Sequence, residues 1–409
     1  MSAAGPVIDA QPLCETRERP AWRRALDARI DRWLADPGLY RWAVANPFTR
    51  WLTRRRADQL FELMAGFVHS QVLLACVRLR LFETVYDAPR TLEELAIACG
   101  VPGSSLERLL RSAVALRLLT PRGGGRYGLG PMGRPVAADA GLRKMIEHNA
   151  VLYEDLRDPL ALMRGGADAA MHAYWPYTQS VDPQTIGSWA PDKVALYSDL
   201  MASSQRFLID ELLAAYPFGD HARVMDVGGG KGAWITALAG HAPHLELTLF
   251  DLPPVADLAR VHLAQGGVAA RVQVQGGSFT RDALPRGADL VTLLRVAHDH
   301  PDHVVLALLA AVHDALPVGG TLLLAEPMAE ADGQPATADA YFHFYLLAMG
   351  AGRLRTPQEL FHLMAQAGFT HLEQVPNAMP LHGRILLGRK SGGLPASNPV
   401  QVTKGVNLN

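Results

Sequence analysis

The chain has 409 residues, more than one hydrophobic core sustains, so two domains and length enough for an enzyme are the starting expectation. Its 39 basic side chains nearly cancel 40 acidic ones, which excludes a whole-molecule field drawing in nucleic acid or anionic substrates. Cys14, Cys76 and Cys99 stand far apart among helix formers with no CxxC pair, a usage that suits buried thiols in a reducing cytoplasm.

The first residues lack the basic-then-apolar layout of a leader, and no window holds about 18 uninterrupted apolar residues, so neither export nor a membrane crossing is expected. Residues 1–57 form an arm of uneven charge: between 17 and 56, eleven arginines against Glu18, Asp27, Asp31 and Asp36 leave +7. Trp22, Trp33, Trp42 and Trp51 punctuate it. Arginine with amphipathic aromatics suits a segment lying on an anionic bilayer, and equally a helical arm packed on a partner subunit.

A domain over 58–192 comes next. From Asp58 to about Val85, Leu60, Phe61, Met64, Phe67, Val68, Leu73, Leu74 and Val77 recur at helical spacing, which predicts helices buried on more than one side. Thr91 and Glu94 spell a capping box, Pro102 opens a second helix from Ser105 to Leu119, and Gly123–Gly125 with Arg126-Tyr-Gly-Leu predicts a small hairpin. Helix, turn, helix and hairpin make a winged helix. The second helix, however, carries Leu106, Leu109, Leu110, Val114, Leu116, Leu118 and Leu119 with only three arginines, leaving little polar surface for base edges. Helices near Arg143–Met163 and Val194–Tyr216, with the Tyr174-Trp-Pro-Tyr loop between them, are expected to wall a substrate pocket.

The second domain spans 193–390, before a polar tail at 391–409 expected to be disordered. Arg223-Val-Met-Asp-Val-Gly-Gly-Gly-Lys-Gly reads as a strand ending in a glycine loop, followed by a helix. Gly228, Gly230 and Gly232 allow a ligand close to the backbone. Such a loop could serve NAD, but the spacing is GxGxG, and Asp226 stands where a carboxylate can hold the ammonium of a methionine moiety, a group NAD lacks. Asp251, 21 positions past Gly230, suits both ribose hydroxyls. A P-loop is excluded because Lys231 lacks the required spacing and the following Ser or Thr. Later strands fall at Leu247–Phe250, Arg271–Val274, Ala288–Leu294, Thr321–Ala325, Thr370–Val375 and Arg384–Leu387. Asp226, Asp251, Ser278, His298 and Glu326 then lie at or just past the strand ends, where doubly wound sheets bind ligands.

Methyl transfer from a sulfonium is an in-line displacement that needs a base for the hydroxyl proton. His298 is the candidate base, and Glu326 the acid that orients its other ring nitrogen. His300 and His303 stand nearby, but no carboxylate set accompanies them and no metal is expected.

Asp226-Val-Gly-Gly-Gly-Lys-Gly, Phe250-Asp-Leu-Pro, Gly276-Gly-Ser-Phe, Arg295-Val-Ala-His-Asp-His, Gly319-Gly-Thr-Leu-Leu-Leu-Ala-Glu and Arg355-Thr-Pro-Gln-Glu-Leu resemble, in order, the motifs of the plant-type and bacterial small-molecule O-methyltransferases, over about residues 60–390. The resemblance implies a Rossmann-like α/β domain of seven strands, six parallel and one antiparallel, behind an N-terminal all-α winged-helix-like dimerisation domain. It also implies a homodimer, S-adenosylmethionine as cofactor, and metal-independent chemistry with His298 as base. Leu252, Ser278, Phe279 and Arg295 join Asp226, Gly228, Gly230 and Asp251 as the implied cofactor contacts. Two departures stand out: Ser278 replaces an aspartate common in the family, and Leu354 replaces a second acid.

Residues 66–82, Met145-Ile-Glu-His-Asn, the Tyr174 loop and Asp339-Ala-Tyr-Phe-His-Phe-Tyr are similar to the branch that methylates the tertiary hydroxyl of acyclic carotenoids in photosynthetic bacteria. That likeness implies an apolar substrate, with Tyr341, Phe342, Phe344, Tyr345, Leu346 and Leu347 lining its slot, and an enzyme peripheral to the inner membrane. The alternatives are a soluble phenol or polyketide as methyl acceptor, and a winged-helix regulator that keeps the fold as a ligand sensor.

Overall fold

A computed structural model describes residues 20–165, 169–174, 201, 205–330, 337–380 and 383–392. Most of the Tyr174–Tyr177 loop, residues 194–200 of the helix expected to follow it, and the tail from 393 lie outside the described residues.

The N-terminal part holds helices α1 (Ala21–Leu34), α2 (Pro37–Ala45), α3 (Arg50–Arg78), α4 (Leu81–Thr84), α5 (Leu92–Cys99), α6 (Gly103–Ala115), α7 (Gly133–Ala138), α8 (Ala140–Asp155), α9 (Pro159–Met163) and α10 (Ala170–Tyr174). A three-stranded sheet in the order β1 (Arg90–Thr91), β3 (Arg126–Leu129), β2 (Leu119–Arg122) completes the winged helix. The Thr91–Glu94 capping box forms at the start of α5. Leu74, Leu81, Phe82, Leu95, Leu106 and Leu110 are central to the core of this domain.

Three expectations change here. Helix α6 ends at Ala115, and Leu119 already belongs to the wing, because Arg117 adopts a left-handed φ of 59° and turns the chain. The helix expected over Arg143–Met163 is two helices, since Asp158 caps a new start with Pro159 in its first turn. Helix α3 is buried only towards its end, at Leu74, Cys76 and Val77, whereas Leu60, Phe61, Leu63, Met64 and Phe67 lie bare, Leu63 at 79% exposure. Among the described residues nothing covers that face. By length and composition the same helix is apolar enough to cross a bilayer, although Glu62, His69 and Gln71 interrupt its apolar run, as the sequence expectation had it.

The C-terminal part is a seven-stranded sheet in the order β6 (Val272–Gly276), β5 (Glu246–Asp251), β4 (Arg223–Val227), β7 (Leu290–Leu294), β8 (Thr321–Glu326), β10 (Arg384–Lys390), β9 (Phe369–Val375). β10 alone runs antiparallel, pairing Leu386 with Leu324 on one side and with Gln374 on the other. Helices α11 (Arg206–Ala215), α12 (Ala233–His241), α13 (Pro253–Gln265), α14 (Asp302–Ala315), α15 (Thr337–Met349) and α16 (Pro357–Gln366) follow in chain order. The central strands read as nearly continuous apolar runs because both faces are covered. Leu322 and Leu324 enter a core shared with α14 and α16, while Leu323 and Ala325 face one shared with α11, α12 and α13. Strand order reverses between β4 and β7, the place where such sheets open a crevice for ligands.

Candidate active site

β4 delivers Asp226 to that crevice and then breaks into the glycine loop. Gly228 and Gly230 have φ of 72° and 56°, and a Cβ at Gly228 would strike Val296 at 2.7 Å, so glycine is required there on two counts. A Cβ at Gly230 would meet nothing within 4 Å, and the loop faces open space at that point. Asp251, at the end of β5, locks the loop: one oxygen accepts from Gly230 N–H at 2.7 Å and the other from Leu252 N–H at 2.7 Å.

Asp226 is 1% exposed. Its Oδ1 accepts from the Thr292 hydroxyl at 2.7 Å, and Thr292 in turn accepts from the indole N–H of Trp234 at 3.2 Å. This relay crosses from α12 through β7 to β4. Burial pushes the Asp226 carboxyl up to about 7, against the Thr292 hydrogen bond and aided by the nearby Asp251 charge. Burial also raises Asp251, to about 6, against the two N–H bonds it accepts. A ligand ammonium beside Asp226 would restore its charged form, so the donor set fits the methionine end of S-adenosylmethionine.

Beyond β7 the chain turns at Arg295, a non-glycine residue with φ 56° whose N–H donates to Ala325 O at 2.9 Å. The turn throws residues 297–299 into a short 3₁₀ segment carrying His298. His298 is buried, and Glu326 at the end of β8 grips it twice. Glu326 Oε2 accepts from the His298 backbone N–H at 3.0 Å and lies 3.3 Å from ring Nδ1. A proton on Nδ1 leaves Nε2 with the free lone pair of a base. Asp299 Oδ1 approaches Nε2 to 3.2 Å without accepting a hydrogen bond. Burial lowers the affinity of His298 for a proton, but Asp299 and Glu326 outweigh it and the net shift is upward.

Arg355 clamps the same loop from behind. Its side chain is fully buried and donates to the carbonyls of Ala297 at 2.9 Å and His300 at 2.7 Å, with an ion pair to Asp302 at 2.6 Å. Arg353 N–H holds the His298 carbonyl at 2.8 Å. Leu354, between them, is buried in the apolar cluster that includes Tyr345 and Met349, and Glu326 is the carboxylate at Nδ1.

Ser278 and Phe279 lie just past the end of β6. Ser278 donates its N–H to Asp282 at 2.8 Å and shares a 2.8 Å hydroxyl hydrogen bond with Thr280. Phe279 packs its ring against the edge of His300 at 5.4 Å. Thr292 was not singled out from sequence, and Arg355 was quoted there only as the start of a motif, with no role. The signal for Thr292 was a lone hydroxyl inside the apolar run Leu-Val-Thr-Leu-Leu.

The slot residues divide. Tyr345 and Leu346 are buried with Leu152, Leu162, Met171 and Met349, and Tyr341 and Phe342 pack against them. Phe344 and Leu347 point outward instead, because the helical period of α15 puts them on its exposed side. His148 Nε2 lies 3.2 Å from the Tyr345 hydroxyl, and Tyr341 donates to Asn149 at 2.9 Å. Two stretches almost 200 residues apart, both singled out in the sequence, therefore meet in one wall. A cavity of 380 Å³ opens just past Glu326, lined by Pro327, Met328, Phe342, Pro380 and Arg384 among others.

The O-methyltransferase domain model matches residues 153–370, and the O-methyltransferase dimerisation domain model matches 61–139. Demethylspheroidene O-methyltransferase of Cereibacter sphaeroides is 40% identical over 334 residues, 82% of this chain and 87% of that protein. Its counterpart in Rhodobacter capsulatus is 40% identical over 337 residues, 82% of each chain. Among solved structures, NcsB1, an O-methyltransferase of neocarzinostatin biosynthesis in complex with S-adenosylmethionine and 2-hydroxy-5-methyl naphthoic acid, superposes with a TM-score of 0.58 at 28% identity, covering 78% of this chain and 95% of that one.

Proposed function

The chain belongs to the plant-type O-methyltransferase family, and from that premise we propose that it methylates the tertiary hydroxyl of an acyclic carotenoid of the demethylspheroidene type, with His298 as base. It is an S-adenosylmethionine-dependent O-methyltransferase, and it carries the family's dimerisation domain. Bound S-adenosylmethionine supplies a methyl group on a sulfonium, activated for attack by an oxygen nucleophile.

The observation that carries the assignment of the base is the position of His298 at the end of β7, with Nδ1 against buried Glu326 and Nε2 available, in the crevice that also holds Asp226 and Asp251. Nε2 takes the hydroxyl proton as the oxygen–carbon bond forms, and Glu326 stabilises the imidazolium that results. An alcohol holds its proton far more tightly than a phenol, so the two carboxylates that strengthen His298 suit this acceptor. Asp226, Gly228, Gly230, Asp251 and Leu252 are assigned to the cofactor, together with Ser278, Phe279 and Arg295.

For the substrate, the 40% identity to two demethylspheroidene O-methyltransferases and the apolar wall of Tyr341, Phe342, Tyr345 and Leu346 support a hydroxylated carotenoid. Two chains pair as a homodimer through a surface that includes the bare apolar residues of α3, and the dimer works at the cytoplasmic face of the photosynthetic membrane.

The test uses S-adenosylmethionine labelled on its methyl group with two sets of acceptors, hydroxylated carotenoids in liposomes and soluble phenols. Label in the carotenoid ether is the expected outcome. Label confined to phenols removes the carotenoid assignment and leaves the methyltransferase itself in place.

A further inference from the structure

Residues 20–57 precede both matched domains, and no described residue of α1 or α2 is buried. Within α1, Trp22, Leu26, Ile30 and Trp33 recur at helical spacing and share one face, and all four are exposed. Arg23 and Arg29 flank that face, the Arg23 guanidinium lying 5.1 Å from the Trp22 ring, while Asp31 falls on the opposite side. Further along, Tyr40, Trp42, Phe48 and Trp51 are also exposed, with Phe48 at 88%. Asp36 caps α2 through the Leu39 N–H, and α2 packs on α3, so the arm is tied to the body of the protein at one end.

We infer that this arm is a docking surface for an anionic lipid bilayer. An apolar stripe bordered by arginines, with acid on the far side, has the composition of a helix lying in the plane of a membrane interface, where tryptophan rings sit at headgroup depth. Charge complementarity selects this occupant. From 17 to 56 the arm carries eleven arginines against four acids, which phosphate-rich headgroups attract, whereas two copies of the arm packed on each other would bring +7 against +7. The family's dimerisation match begins only at residue 61. The inference deepens the carotenoid reading and rests on it for its purpose, because a substrate that dissolves only in a bilayer is reached by an enzyme held there.

The experiment is sedimentation of the full-length protein with vesicles of phosphatidylglycerol mixed with phosphatidylcholine, and with vesicles of phosphatidylcholine alone, at low and high salt. Binding to the mixed vesicles that weakens with salt is expected. The triple variant Arg23→Gln, Arg29→Gln, Arg41→Gln should bind about 100-fold more weakly, about five-fold per arginine, with an unchanged thermal midpoint. Trp22→Ala with Trp33→Ala should weaken binding as well. Equal binding to both vesicle types, no binding at all, or variants that bind like the parent overturns the inference. So does a tryptophan variant that turns dimers into monomers in analytical ultracentrifugation while vesicle binding is untouched, since the occupant is then a second copy. No substrate enters this assay, so a failed carotenoid turnover with intact vesicle binding tells against the substrate reading and leaves the arm standing.

Discussion

Trp234 and Trp33 are the same residue in opposite circumstances. Trp234 is 1% exposed, packed between α12 and the sheet, and its indole N–H feeds the Thr292–Asp226 relay. Trp33 is 61% exposed on a helix with no core beneath it. In the catalytic domain most large apolar groups are covered by the fold of the same chain, with Val261, Val318, Phe344, Leu347 and Met379 as the exposed exceptions. In the arm and the first half of α3 the apolar surface is left uncovered by the described residues. The difference teaches that hydrophobic spacing marks a face to be covered without saying what covers it.

Substitution should separate the two regions by a wide margin. The largest effect belongs to Trp234→Ala, which opens a cavity and removes a hydrogen-bond donor, at a cost of about 3–5 kcal/mol in chemical denaturation. A loss under about 1 kcal/mol would mean the buried ring is not holding α12 to the sheet. Next comes His298→Ala, for which turnover should fall about 100-fold or more with cofactor affinity retained. Unchanged turnover at saturating substrate would reduce His298 to packing and erase the functional side of the contrast.

Proton linkage sharpens the comparison from inside the crevice. In the ligand-free enzyme Asp226 titrates at about 7, above the roughly 3.9 of an unfolded chain. Its contribution to stability is therefore complete below about pH 4 and declines as pH rises towards 7. Binding of an ammonium favours the carboxylate, so cofactor affinity should rise with pH, by up to about ten-fold per unit below pH 7, and level off above it. Calorimetry in buffers of different ionisation heat reports the proton released, and a flat profile from pH 5 to 8 contradicts the proposed contact. The smallest effect is that of Trp33→Ala, within about 0.5 kcal/mol of the parent in the absence of lipid. A loss comparable to that of Trp234→Ala would show that the arm is part of the fold.

Much of the crevice was legible because one local rule places it. A polar residue at the carboxyl end of an apolar parallel strand lies at the mouth of the sheet, and Asp226, Asp251, His298 and Glu326 all obey. Ser278 was found by the same rule, yet its hydroxyl is engaged by Thr280, since position along a strand does not fix the partner of a side chain two residues past its end. Arg355 was invisible as a clamp. The carbonyls of Ala297 and His300 that it holds stand more than 50 positions away, and no local pattern announces that the loops will meet. The split of the Arg143–Met163 helix was readable in Asp158-Pro159, but apolar periodicity continues across the break and hid it. Bare α3 was misread for a deeper reason: periodicity cannot distinguish burial within a chain from burial between chains.

The place of β10 has a consequence for how the protein is made. It is the last strand among the described residues and lies inside the sheet, between β8 and β9. While residues 384–390 remain in the ribosome, the backbone edge of β8 is open along Leu322, Leu323, Leu324 and Ala325. With about 60 residues still to be added after β8 at about 5–20 residues per second, a hydrophobic edge stays unpaired for seconds. That nascent chain is a sticky strand with no gatekeeping charge until Glu326. Chaperone demand in the cell should therefore concentrate late in translation, and loss of the last 25 residues should deplete the enzyme by aggregation, although every residue assigned to the crevice would still be synthesised.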